Sequence, residues 1–68
     1  MTKKYWTEIN GFTAKSLEWE GKFDLSIYKG NEEVYRNLTF AYSLKDCSTI
    51  IRRELGLKGK RINWISES

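Results

Sequence analysis

The chain has 68 residues, with twelve Lys plus Arg against nine Asp plus Glu, no His, no Pro, one Cys and ten aromatic side chains. A chain this short holds one domain with a small core, and without His or a second Cys it lacks the parts for an intramolecular disulfide, a His-based catalytic triad or an ordinary zinc site. Residues 1–40 carry six basic and six acidic groups while residues 41–68 carry six and three, so the whole net charge of +3 belongs to the C-terminal part.

Lys3 and Lys4 precede no apolar run, and nowhere do 18 apolar residues stand together. The reading is therefore of a chain with no signal peptide and no membrane span, and its unpaired Cys47 fits a reducing, cytoplasmic setting. Residues 5–9 read as a further strand continuing into the next one across Gly11. Residues 12–19 and 23–28 follow on either side of Glu20-Gly21, and Phe23, Leu25 and Ile27 alternate with Asp24, Ser26 and Tyr28, the period-2 pattern of a strand with one buried face. An odd-length loop at Gly21 would turn Leu17 toward Phe23, whereas a two-residue turn would send Leu17 and Trp19 outward; the first register is expected, since it closes the core. A third strand over residues 34–42, after the Lys29-Gly30-Asn31 turn, sets Leu38, Phe40 and Tyr42 against Asn37, Thr39 and Ala41, with Ser26, Tyr28, Tyr35, Asn37 and Thr39 expected on the open face, joined by Ser16 or Lys15 according to the register.

At Ser43 the period changes to 3.6. Leu44, Cys47, Ile50, Ile51 and Leu55 make one apolar stripe, which predicts an amphipathic helix over residues 44–55. Ser43 and Asp46 have the spacing of a capping box, Arg52 and Arg53 suit the negative end of the helix dipole, and Gly56 suits a left-handed C′ position. Lys58-Gly59-Lys60 reads as a turn, residues 61–65 as a short last strand with Ile62 and Trp64 on one side, and residues 66–68 as a fraying end. The expected fold is α+β: a three-stranded antiparallel meander packed on one C-terminal amphipathic helix, then a short strand, β-β-β-α-β.

The residues offer little to catalysis. Cys47 falls in the first helical turn, where the dipole lowers a thiol pKa, but it lies on the apolar stripe and reads as a buried structural group. Glu18 with Glu20 and Glu32 with Glu33 fall at hairpin tips where water solvates them, so no pKa is tuned for acid/base work. Gly56-Leu57-Lys58-Gly59-Lys60 follows a helix instead of opening one and lacks the context of a phosphate loop. No enzyme activity, cofactor, metal or small-molecule substrate is expected.

Binding is better supplied. Arg52, Arg53, Lys58, Lys60 and Arg61 place five cations in ten residues, opposed only by Glu54, a grouping able to neutralise phosphates with salt-dependent affinity. Tyr28 and Tyr35 on the open sheet face would contact bases. The first expectation is a small non-enzymatic nucleic-acid-binding or regulatory domain. The second is a protein-binding adaptor or inhibitor, of the kind phages and mobile elements encode, acting through its sheet face or a strand edge, or as a homodimer. A three-stranded sheet backed by one helix is similar in architecture to the small DNA-binding domains of some integrases and of plant AP2-type factors, which lay the sheet in the major groove; the resemblance is architectural, and no motif here matches theirs.

Overall fold

The computed structural model describes residues 2–67, and all side chains among them except those of residues 38–40. Five antiparallel strands, β1 (Lys3–Ile9), β2 (Phe12–Trp19), β3 (Lys22–Lys29), β4 (Glu32–Ala41) and β5 (Ile65–Glu67), form one sheet in the order β4-β3-β2-β1-β5, and one helix, α1 (Leu44–Leu55), follows β4. The α+β class stands. Four strands rather than three precede the helix, because residues 3–9 do not run on into β2: Asn10 and Gly11 both take positive φ, 49° and 80°, and turn the chain back on itself.

A second turn of the same kind decides which side chains are inside. Glu20 (φ 51°) and Gly21 (φ 75°) make a two-residue connection in which Trp19 pairs with Lys22, the I′ geometry whose twist matches flanking strands. The odd-length loop expected at Gly21 is therefore absent, and the faces of β2 exchange. Leu17 and Trp19 point outward, 40% and 55% exposed, while Ala14 and Ser16 are buried beneath the helix. Small side chains at these two positions let α1 approach closely: the Ser16 Oγ and Cys47 Sγ atoms are 3.8 Å apart.

The core joins Phe23, Leu25 and Ile27 of β3 to Ala14, Ala41, Cys47 and Ile51. Leu25, Ile27 and Ile51 are fully buried, each contributing about 1.5–3 kcal/mol. Tyr35 pairs with Ile27 and packs against this core, so it faces the helix side and not the open face where the sequence put it; Val34 is an extra residue between the Ile27–Tyr35 and Tyr28–Glu33 pairs, and this bulge resets the register. Ser16, offered as an alternative to Lys15 for the open face, is likewise inside. The facing of Leu38, Thr39 and Phe40 lies outside the described side chains, and Tyr42 is exposed.

Helix α1 has the bounds its periodicity predicts. Ser43 Oγ accepts from the Asp46 N–H at 3.1 Å, while the Asp46 carboxylate accepts from the Tyr42 N–H one residue earlier than a capping box requires. Gly56 at φ 67° ends the helix, with the Leu57 N–H bonded to the Arg52 carbonyl at 2.8 Å, a Schellman closure.

The expected last strand over residues 61–65 is displaced to Ile65–Glu67. Residues 61–64 are held against the helix side of the sheet instead: Thr7 Oγ1 donates to the Asn63 carbonyl at 2.7 Å, Trp64 Nε1 donates to Ser48 Oγ at 2.9 Å, and Ile62 and Trp64 pack on the core. Only past Trp64 does the chain reach the free edge of β1, where Ser66 and Glu67, expected to fray, pair with Tyr5 and Lys4. Among the described residues no buried side-chain nitrogen or oxygen lacks a partner, and no helix is long and apolar enough to cross a membrane.

Candidate nucleic-acid interface

The basic cluster is built by the end of the helix. The Leu57 N–H bonds to the Arg52 carbonyl, the Lys60 N–H bonds to the Leu57 carbonyl at 3.0 Å, and the Arg52 side chain crosses the loop to donate Nε–H to the Lys60 carbonyl at 2.7 Å. Arg52, half-buried, acts as the tie that folds the loop back onto the helix. Arg53, Lys58, Lys60 and Arg61 remain exposed. Arg53 also borders a shallow hollow of about 430 Å³ together with Tyr42, Asp46 and Thr49.

The helix-free face of the sheet is the second surface. Pairing sets Ile65, Trp6, Lys15, Ser26 and Arg36 opposite one another in a single row across all five strands, about 19 Å from end to end at ordinary strand spacing. A parallel row holds Glu8, Thr13, Tyr28 and Glu33, and on the other side Glu67, Lys4 and Leu17 form a third. All of these residues except Ile65, Glu8 and Glu33 line a trough of about 700 Å³. Lys15 Nζ stands 5.2 Å from the centre of the Tyr28 ring, and Arg36 Nε is 2.8 Å from Glu33 Oε1.

The floor of the trough coincides with a lapse in the β2–β3 ladder. Lys15 pairs with Ser26 and Glu18 with Phe23, but no backbone pair joins Ser16 and Leu17 to Asp24 and Leu25. Side chains take over: Asp24 Oδ1 accepts from the Leu17 N–H at 2.8 Å, and Ser16 Oγ donates to the Asp24 carbonyl at 2.6 Å.

Of the residues singled out in the sequence, Arg53, Lys58, Lys60 and Arg61 are accessible near one helix end, Arg52 is engaged in ordering them, Tyr28 lies in the trough and Tyr35 on the other face. Sequence reasoning counted few cations on the open face. With the observed register Lys4, Arg36 and Trp6 line it, none of which the sequence reading placed there, together with Lys15, offered there only as an alternative to Ser16; for Lys15 the deciding signal was the even turn at Glu20-Gly21. Cys47 is fully buried. Desolvation raises its pKa, aided by the nearby Asp46 and Asp24 carboxylates, and outweighs the lowering by the Ser16 hydrogen bond. The lowered pKa that its place at the helix start suggested does not occur, and the thiol is a poor nucleophile. Among the described residues no three Cys, Asp or Glu side chains gather closely enough to hold a metal ion.

Comparison with protein-family models, with curated protein sequences and with solved structures gives no match to this chain.

Proposed function

We propose that this chain is a non-enzymatic nucleic-acid-binding domain whose phosphate contacts come from the loop after the helix. The observation that carries the reading is the Arg52–Lys60 tie, which holds that loop in place and leaves Arg53, Lys58, Lys60 and Arg61 free at one end of the molecule. Cations on a fixed loop lose less freedom when they bind than cations on a mobile tail. Counterion release then supplies affinity that does not depend on sequence.

The test is fluorescence anisotropy of labelled DNA and RNA over a range of salt. On duplex, removing Lys58 and Lys60 together is expected to weaken binding for every sequence and to flatten the log K against log salt slope by about 2, near one per phosphate contact. Affinity indifferent to both salt and these substitutions refutes the reading. A protein partner is the second reading, supported by the exposure of Leu17, Trp19 and Ile65 (48%) on the helix-free face; salt-insensitive association with a protein and no binding to nucleic acid would establish it.

A further inference from the structure

The geometry points to the trough on the helix-free face as a seat for unpaired bases, which makes the ligand a single strand rather than a duplex. This rests on the nucleic-acid reading and adds a second surface to it.

Shape comes first. A sheet that reads the major groove must project into it, since that groove is about 12 Å wide and 8.5 Å deep. Here the middle of the face recedes into a hollow of about 700 Å³, which crosses all five strands. A duplex would rest on the rims and leave the floor empty, whereas an unpaired strand can lay its bases into the hollow.

Chemistry agrees with shape. Trp6 on β1 and Tyr28 on β3 are both half-buried and both line the trough. They stand two strands apart and one step along the sheet, on the order of 12 Å from each other by strand geometry. Between them the Thr13 and Ser26 hydroxyls face base edges. Aromatic rings on a strand surface stack bases of any identity, and a four-stranded sheet typically seats about two or three.

Charge completes the match. Lys15 lies between the two rings, with Lys4 and Arg36 to either side, so three cations line the path a backbone would take. Two carboxylates also line it, Asp24 and Glu67. Asp24 is turned onto the Leu17 N–H, and Glu67 sits opposite Lys4 on the edge strand. Lys15 therefore sits mid-trough, with Lys4 beside Glu67 toward one rim and Arg36, paired with Glu33, on the β4 rim, so a cation stands at each stage of a polyanion's crossing from β1 to β4.

The experiment measures labelled ten-nucleotide deoxythymidine and uridine oligomers against a hairpin duplex of equal charge, following anisotropy and tryptophan emission together. Single strands should bind at least tenfold more tightly than the hairpin and change tryptophan emission. Trp6→Leu should reduce single-strand affinity roughly tenfold. Because Trp6 also packs against its neighbours, Lys15→Gln with Arg36→Gln serves as a second variant confined to exposed groups, and it should lower single-strand affinity while leaving hairpin affinity as it was. Equal affinity for both ligands, or single-strand binding unchanged in both variants yet lost in Lys58→Ala with Lys60→Ala, would overturn the trough and leave the loop reading standing. Binding of neither ligand at low salt would overturn both.

Discussion

Ser16→Ala offers a direct test of how the sheet is held together beneath the trough. Ser16 is 1% exposed, its hydroxyl donates to the Asp24 carbonyl at 2.6 Å, and no backbone pair joins β2 to β3 at that point. The Cys47 thiol also stands near that carbonyl, at 3.9 Å, too long and too weak to replace the hydroxyl. Alanine fits the space, so the expected loss is that of leaving a part-buried acceptor unsatisfied, about 1–3 kcal/mol. For a domain of this size each kcal/mol moves Tm by about 4–8 °C, so Tm should fall by about 5–20 °C. Circular dichroism on heating and in urea measures it, with the urea slope expected to stay constant because the same surface unfolds. A Tm within 2 °C of the parent would refute the argument and would mean that the Asp24 carbonyl finds water or a backbone partner.

Three further outcomes are expected. Glu20→Asn should stabilise the fold by a few tenths to about 1 kcal/mol, since Glu20 holds φ 51° where Asn is the better turn residue; urea unfolding reads it, and destabilisation would contradict the I′ assignment. The Cys47 pKa is raised by folding, so its contribution is complete below the ordinary thiol pKa and declines as pH rises from about 9 toward the folded value; Cys47→Ala should show a smaller loss of stability between pH 8 and 11 than the parent, whatever its stability at pH 7. Trp64→Phe removes the bond to Ser48 Oγ and should cost about 1 kcal/mol, with amide exchange rising first over residues 62–67; uniform exchange along the chain would show that Trp64 does not pin that segment.

Helix α1 was readable to the residue because three independent signals coincide: the stripe from Leu44 to Leu55, the Ser43 cap and the Gly56 stop. Strand β3 was readable because all three of its inward residues are large and apolar. Strand β2 was misread for a physical reason. Its outward set contains Leu17 and Trp19, its inward set Ala14, Ser16 and Glu18, and hydropathy alone favours the wrong face. The turn outweighs it, because Glu20-Gly21 admits only an even register, and the space under a docked helix rewards small residues over large ones. The basic loop was legible as a run of charge, but the tie from Arg52 to the Lys60 carbonyl was not, since a backbone acceptor leaves no mark in the sequence. The trough inherited the error in β2: with the choice between Ser16 and Lys15 for the open face left to the register, its central row could not be seen.

The pairing of β5 with β1 links residues nearly a full chain length apart, and this orders events in time. Hairpins closed by two-residue turns assemble within microseconds, so β1 through β4 can zip from any of their three turns. The outer edge of β1 stays bare for longer, because it is capped only after the helix has docked and residues 61–64 have crossed the sheet. During that interval the bare edge can pair with the same edge of another copy. A three-residue strand contributes little to equilibrium stability, yet by closing that edge it acts as a guard against self-association, and refolding yield should depend on protein concentration far more steeply when β5 is removed.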